Sequence, residues 1–224
     1  MGDHEKKKKP TDYEDFITAR PAPILFLSEG QEAVIKEHSD ITKALVGKNL
    51  TTKEIHALYW NPEKEKYDKT IKTVYRYLET LEEVGLVQEC GHRKPKGSRL
   101  TEKLFCRTAN VFILEDKEGE QKWWTGKKGK RVIKKLTILT QELFDVSLDE
   151  DAFRELMEQY YEQYEDVTME LYRKTPESEG ISEIFSKEDL YGIKYLADMV
   201  ATLGVMLRNP ELCEQFKKVL SKQK

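Results

Sequence analysis

The sequence predicts a mainly α-helical protein that carries one small antiparallel β-hairpin in its N-terminal half. Three observations predict this fold class. Residues 69–85 have the apolar spacing of an amphipathic helix whose outer face is basic. Two short apolar segments follow it and enclose a basic loop. Helical apolar spacing then returns from residue 132 and continues to the end.

Charge divides the chain into a basic front half and an acidic back half. Residues 1–135 contain 28 Lys and Arg against 22 Asp and Glu, whereas residues 136–224 contain 10 against 19. A basic front half favours a polyanionic partner for that half alone. The alternative is that the acidic helices only keep the back half soluble, and the two interpretations are compatible.

Composition indicates the compartment. No run of about 18 apolar residues is present, and the N-terminus lacks the apolar core of a secretory signal, so we expect no membrane span. The three cysteines are too few and too widely spaced for a disulfide framework. We therefore expect a cytoplasmic protein.

The first elements are predicted from local signals. Residues 1–20 mix charge with little apolar content, so we expect a disordered tail, whose lysines at 6–9 either contact a polyanion or stay solvated. An extended segment follows at 21–27. Ser28 and Gln31 fit a capping box that starts one helix, or two if Ser39-Asp40 is a second N-cap.

A second capped helix precedes the amphipathic one. Thr51 and Glu54 fit a capping box, and this helix should end near Tyr59 because Asn61-Pro62 breaks it. In the third helix, 69–85, one face is apolar and the other is basic and hydroxyl-rich, and Gly85 is the stop. The inward residues are Ile71, Val74, Tyr75, Leu78 and Leu81; the outward ones are Lys69, Thr73, Arg76 and Thr80, with Lys66, Lys72 and Tyr77 at the flanks.

Two predicted strands, 86–90 and 104–108, follow the third helix. The loop between them carries Arg93, Lys94, Lys96 and Arg99, and its residues 91–101 contain no acidic side chain. This order of elements is that of a winged helix-turn-helix domain: two helices, a basic helix, a strand, a basic loop and a second strand. A basic reading helix is the element that such domains place in the major groove of DNA.

Residues 45–113 resemble the winged-helix transcription regulators of archaea and bacteria, especially ArsR-like repressors. The resemblance rests on Leu50-Thr-Thr-Lys-Glu-Ile, on the phrase from Thr73 to Val87, and on Arg107-Thr-Ala-Asn-Val-Phe-Ile, which looks like the archaeal version. It implies sequence-specific binding of double-stranded DNA, with the third helix in the major groove and the wing, 92–101, on the backbone. The expected DNA-binding residues are Lys69, Lys72, Thr73, Arg76, Tyr77, Arg93, Lys94, Lys96 and Arg99.

Metal sensing through the family sites is not expected. ArsR-type sensors often carry a Cys-x-Cys pair in the reading helix, and residues 69–85 contain neither Cys nor His. The phrase Val74-Tyr-Arg-x-Leu also occurs in ferric uptake regulators, but no His follows His92 to form their second-domain sites. Cys90, His92 and Cys106 are the remaining metal candidates. Cys90 and Cys106, if opposite one another, could also form a reversible disulfide or be small buried side chains.

The predicted domain order is a DNA-binding domain at 21–116, a linker or extra hairpin at 117–131, and a helical dimerisation or regulatory region at 132–224. Trp123 and Trp124 precede a cluster of basic residues. They either pack against the protein or contact nucleic acid. A long acidic helix at 149–174 carries tyrosines that form a dimer core or line an effector pocket.

The sequence favours a non-enzymatic, cofactor-free regulator. We recognise no Gly-rich phosphate loop, no His-x-x-x-His pair and no paired catalytic carboxylates. Because two half-sites need two reading helices about 34 Å apart, we expect a homodimer through the C-terminal helices. The rival interpretation is a winged helix that assembles a protein complex without contacting DNA. The operator, the regulated genes, the direction of regulation and any effector stay open.

Overall fold

The computed structural model describes residues 12–114 and 126–220 of the 224-residue chain. The chain divides into two compact units, Met1–Leu114 and Glu115–Lys224, which are described separately. The fold is mainly α-helical with a few small sheets, which confirms the coarse fold class predicted from the sequence.

The first unit contains four helices and eight strands in its described part. The helices are α1 (Glu29–Glu37), α2 (Ser39–Ala44), α3 (Thr52–Ala57) and α4 (Ile71–Glu83). The strands are β1 (Tyr13–Ile17), β2 (Ala22–Phe26), β3 (Leu50–Thr51), β4 (Trp60–Asn61), β5 (Lys66–Tyr67), β6 (Val87–Pro95), β7 (Glu102–Arg107) and β8 (Ala109–Ile113).

Local capping chemistry sets the helix ends, as the sequence predicts. Ser28 forms a complete capping box on α1, and Thr51 forms one on α3. Two helices follow Ser28 rather than one, because the backbone leaves helical geometry at His38. Gly85, with a φ of 71°, follows the C-cap of α4 and provides the predicted left-handed stop.

The long β6–β7 hairpin is the centre of a four-stranded antiparallel sheet with the order β1-β6-β7-β3. Strand β1 pairs with β6 from Tyr13 opposite Pro95 to Ile17 opposite Gly91. The prediction of a disordered tail is therefore wrong for residues 13–17, whereas residues 1–11 lie outside the described part. The sequence signal missed β1 because its partner strand lies far along the chain and short exposed strands have little periodicity.

Two smaller sheets complete the first unit. Strand β2 pairs in parallel with β8, and β4 pairs with β5 in a short antiparallel hairpin. The wing strands extend further than predicted, so residues 92–94 belong to β6 and the connecting loop shortens to 96–101.

Gly91 allows β1 to approach β6 closely. Its φ of 146° lies in a range that favours glycine, and the register between β6 and β7 shifts between Glu89 and Gly91. A Cβ atom at position 91 would meet the carbonyl group of Phe16, whose carbon would lie at 2.9 Å. The backbone of β1 would have to move to admit any side chain there.

We expect Gly91→Ala to lower the free energy of unfolding of the first unit by about 2–4 kcal/mol, because it adds backbone strain and displaces β1. Gly97→Ala is the matched control: Gly97 also has a positive φ, 77°, but a Cβ atom there meets nothing within 4 Å. The control substitution should lower the free energy of unfolding by about 1 kcal/mol. Urea denaturation measures both losses, and equal losses would show that the close approach at Gly91 is not important for stability.

The core of the first unit lies between its helices and the β6–β7 hairpin. In α4, Val74, Leu78 and Leu81 are buried as predicted. The predictions for Ile71 and Tyr75 are wrong, because both are exposed: Ile71 begins the helix at the edge of the core, and Tyr75 lies outside the narrow buried stripe. The buried residues of this core are Ile41, Leu45, Ile55, Val74, Leu78, Leu81, Leu86, Val87 and Phe105.

The second unit is helical throughout its described part. Its helices are α5 (Lys127–Phe144), α6 (Glu150–Lys174), α7 (Glu179–Ser186), α8 (Leu190–Arg208) and α9 (Pro210–Leu220). The linker predicted at 117–131 is helical from Lys127 onward, and residues 115–125, with Trp123 and Trp124, lie outside the described residues. Helix α7 was not predicted as a separate element of the helical region 132–224.

Helices α6 and α8 pack closely on one another. A Cβ atom at Gly204 of α8 would lie 2.7 Å from Val167 Cγ1 of α6. The hydroxyl groups of Tyr160 and Tyr164 on α6 hydrogen-bond with Thr202 and Asp198 on α8. These two tyrosines, which were expected to line a dimer core or an effector pocket, therefore contact a helix of the same chain.

The other face of α8 is apolar and exposed. With 100° between successive residues, this face lies opposite the buried side chains of the helix. Among the described helices, α8 alone is long and apolar enough to cross a membrane, although it contains no uninterrupted apolar run of that length. Lys194 and Asp198 lie within it, and charged side chains are costly inside a bilayer. The exposed apolar residues are Tyr191, Tyr195, Met199, Val200, Leu203, Met206 and Leu207.

Candidate nucleic-acid interface

Helix α4 and the residue before it present exposed cations. Thr70 fixes the first turn, since its Oγ1 accepts a hydrogen bond of 3.2 Å from the Thr73 amide. Lys72 and Arg76 are one turn apart and exposed, and neither has an ion-pair partner within 12–114. Lys69 is exposed just before the helix, where its carbonyl oxygen lies 2.8 Å from the His56 ring nitrogen.

The two tyrosines of α4 occupy the reverse of their predicted positions. Tyr77, predicted at the DNA-facing flank, is half-buried against the core, and its ring centroid lies 4.6 Å from that of His38. Tyr75, predicted in the core, is 49% exposed. Thr73 is half-buried, with its Oγ1 2.9 Å from Thr70 Oγ1. The outer face of α4 therefore includes Tyr75 and excludes Tyr77.

The tip of the β6–β7 hairpin is a second cationic surface. Lys94, Lys96 and Arg99 are exposed, and none of them forms an ion pair in the described part of the chain. The amide of Lys96 donates a hydrogen bond of 2.8 Å to the carbonyl of Asp12, which fixes the start of the loop beside β1. The tip therefore offers three cations on an ordered strand end.

Arg93 is not part of that surface, which contradicts its predicted role. Its Nε and Nη2 atoms donate hydrogen bonds of 2.6 and 2.9 Å to the carboxylate of Asp15, and Nη1 donates one of 2.6 Å to Glu54. Hydrogen bonds to Asp15 and then to Glu54 raise the pKa of Arg93 above its ordinary value. Because β6 extends to Pro95, Arg93 lies inside the sheet and joins β1, α3 and β6 instead of contacting solvent.

Two other cations beside the hairpin are already paired. Lys53 on α3 pairs with Glu102, and Lys103 on β7 pairs with Glu89 at 2.6 Å. The Glu89 carboxylate raises the pKa of Lys103. Lys53 and Lys103 are therefore less available to an anionic partner than the exposed cations of α4 and of the hairpin tip.

The segment before α4, which contains the predicted break at Asn61-Pro62, forms the β4–β5 hairpin. The ring of Tyr67 stacks on that of His56 with centroids 4.0 Å apart and meets the edge of Trp60 at 5.0 Å. Trp60 is 46% exposed. His56 also binds the Lys69 carbonyl, so this aromatic group supports the start of α4. The sequence reasoning used only Asn61-Pro62 here and missed the aromatic pair across the turn.

Cys90 and Cys106 lie together inside the sheet in one buried cluster with Leu104. A hydrogen bond between the two thiols raises the pKa of Cys90 and lowers that of Cys106 to about 7. The predicted opposition is wrong in register, because Cys106 pairs with Gln88 and the irregularity between Glu89 and Gly91 displaces Cys90. His92 instead stacks on Phe16, with ring centroids 4.9 Å apart. Within the described residues, no group of three metal-ligating side chains is present.

No protein-family model matches the chain, and no curated protein matches it. Function is therefore inferred from the chemistry of these surfaces. Six of the nine predicted DNA-binding residues are exposed cations, whereas Thr73 and Tyr77 are half-buried and Arg93 is buried in an ion pair. The six are Lys69, Lys72, Arg76, Lys94, Lys96 and Arg99.

Proposed function

We propose that the first unit is a winged helix-turn-helix domain that binds double-stranded DNA and regulates transcription. The observation that carries this proposal is a set of six exposed cations that form no ion pair with any described residue; they lie on two elements, α4 with its preceding residue and the β6–β7 tip. Three other cations beside the hairpin, Lys53, Arg93 and Lys103, are paired with carboxylates. Phosphate groups of a duplex are the partners that a group of exposed, unpaired cations favours.

The roles of the cations differ. Arg76 lies in the middle of α4, and a guanidinium can donate two hydrogen bonds to one guanine in the major groove, so we assign it a base contact. Lys69, Lys72, Lys94, Lys96 and Arg99 are assigned to phosphates, which supply affinity more than sequence choice. Tyr75, beside Arg76 on the exposed face, is added to this surface.

We assign the protein to the ArsR-like regulators of archaeal type as part of this proposal. It would act in the cytoplasm, without enzymatic activity and without a cofactor. The order of elements from α2 to β8 and the phrases between Leu50 and Ile113 support this assignment. Its regulatory signal would have to act outside α4, since residues 69–85 contain no thiol or imidazole.

A homodimer is the proposed active form. The exposed apolar face of α8 lies opposite its buried face and contains no charged side chain, which suits a helix–helix interface between two copies. Two copies are also what a pair of half-sites about 34 Å apart requires.

The second candidate is a protein-docking module that does not contact DNA. The net charge of −3, the acidic back half and the exposed face of α8 favour it. The salt dependence of duplex binding separates the two candidates, because DNA affinity falls steeply with salt whereas contacts through an apolar face do not.

We expect the full chain to bind duplex DNA at low salt. Arg76→Ala should weaken binding to a selected site by about 1–3 kcal/mol, and Lys96→Ala should reduce the slope of log K against log salt by about 1. Lys36→Ala is the control, because it removes an exposed lysine that pairs with Glu32 on α1. Fluorescence anisotropy over a salt series, on duplexes selected from a random library, measures all four proteins. Failure to bind any duplex at low salt would exclude the DNA proposal.

A further inference from the structure

We infer that Arg107 forms the anion subsite of a small pocket that binds an oxyanion, a carboxylate or a phosphate group, on a small ligand. Arg107 ends β7, and its backbone pairs with Val87 at the start of β6. The pocket therefore lies at the end of the hairpin opposite the 96–101 loop. It is distinct from the proposed DNA surface, and the inference does not depend on DNA binding.

Arg107 is buried without a counter-charge. It is 8% exposed, the same fraction as Arg93, but it forms no ion pair with any carboxylate in residues 12–114 or 126–220. Its Nε atom is buried and has no hydrogen-bond partner among the described residues. A buried guanidinium with an unused donor is costly, so a site that contains one usually serves to bind an acceptor.

The guanidinium is held in place by an aromatic ring rather than by a carboxylate. Its Cζ atom lies 3.8 Å from the centroid of the Phe112 ring on β8. Burial alone lowers the pKa of Arg107 to about 10, so the group stays charged at neutral pH. Stacking uses the face of the guanidinium, and a stacked guanidinium can still donate from its edge.

Arg107 lines a cavity of about 180 Å³. The turn after α2 contributes Lys48 and Asn49, and Asn110 of β8 contributes a second amide. None of the described residues that line the cavity is acidic, and the rest of the wall is apolar or glycine. The cavity is smaller than the roughly 300–1,000 Å³ of sites for drug-sized ligands, so a small ligand fits it best.

This lining matches the chemistry of an oxyanion. A guanidinium offers a planar pair of donors to two oxygens of one carboxylate or phosphate group, and Lys48 adds a second positive charge. The amide side chain of Asn49 can donate to the same group. The apolar part of the wall would contact the remainder of the ligand.

The test uses the full chain with inorganic phosphate and acetate as separate probes, and with chloride at the same ionic strength as the reference. Isothermal titration calorimetry measures the affinity, and thermal unfolding measures stabilisation by the bound anion. The phosphate and acetate arms distinguish the two classes of oxyanion. Arg107→Met is the principal variant, and Lys36→Met removes one positive charge from an exposed side chain of the same unit that lies outside the proposed DNA surface.

We expect saturable binding of at least one probe, with an affinity that falls at least about tenfold in Arg107→Met and stays unchanged in Lys36→Met. Lys48→Met alters only an exposed side chain, so it should fold as the wild type does. It should reduce the affinity by a smaller factor, which would link binding to this cavity even if Arg107→Met failed to fold. Equal affinities in wild type and Arg107→Met would overturn the inference. So would the absence of saturable binding of either probe to the wild-type chain up to about 50 mM.

Discussion

Replacement of Arg93 by methionine is expected to lower the free energy of unfolding of the first unit by about 2–3 kcal/mol, even though methionine keeps much of the buried apolar volume. The guanidinium makes three hydrogen bonds to Asp15 and Glu54 and stacks on Tyr13, with 3.8 Å between Cζ and the ring centroid. Its loss leaves two carboxylates close together without a cation. The partial exposure of both carboxylates keeps the cost below that of a fully buried pair.

Arg107→Met is the matched comparison for this prediction, because Arg107 is buried to the same extent on the same hairpin. Its removal leaves no carboxylate unpaired. The variant loses the stacking of the guanidinium on Phe112, but it also avoids the cost of burying a charge that has no counter-charge. We expect no loss of stability, or a gain of up to about 1 kcal/mol. Urea denaturation of both variants at neutral pH and without added oxyanion gives the two values. Losses of similar size would show that buried area, and not charge pairing, sets the contribution of each arginine.

The double substitution Met199→Glu with Leu203→Glu is expected to convert the proposed dimer into a monomer. Both side chains lie near the centre of the exposed face of α8 and are about half exposed, so their substitution leaves the buried face that contacts α6 intact. Two carboxylates at this position would be desolvated in an interface and would repel those of the second copy. DNA affinity should fall by about 100-fold or more, because the second half-site contact is lost.

Lys194→Glu is the control for this double substitution, since Lys194 is exposed on the same helix but outside the apolar face. Analytical ultracentrifugation gives the oligomeric state of each protein, and flotation with lipid vesicles tests whether the apolar face binds a membrane instead. A wild-type chain that is monomeric at high concentration would exclude the dimer. A wild-type chain that floats with vesicles, while the double variant does not, would assign the face to a lipid surface.

The part of the structure that the sequence predicts well is the part that local chemistry controls. The capping boxes at Ser28 and Thr51 and the stop at Gly85 are confirmed. Each depends on residues within one turn of one another, so that spacing alone identifies them.

The errors concern residues whose environment comes from distant parts of the chain. The sequence predicts Arg93 as a phosphate contact, but in the structure it pairs with Asp15, which is far away in sequence. Tyr75 and Tyr77 were reversed because a helical wheel gives the angle of a residue but not the width of the surface that covers it. Arg107 carried no signal at all, since its isolation from carboxylates is a property of the folded unit.

Strand β1 has a consequence for how the protein avoids association through its sheet. It pairs with the side of β6 that would otherwise present free backbone amides and carbonyls, so the edge of the sheet is the five-residue β1 and not the nine-residue β6. Short edge strands recruit strands from other molecules less readily than long ones. A chain that began at residue 21, the predicted start of the first domain, would lack this cover and would also leave Arg93 with only Glu54 as a counter-charge. We therefore expect that truncation before Ala22 increases association through the sheet, because it replaces a short edge strand by a long one.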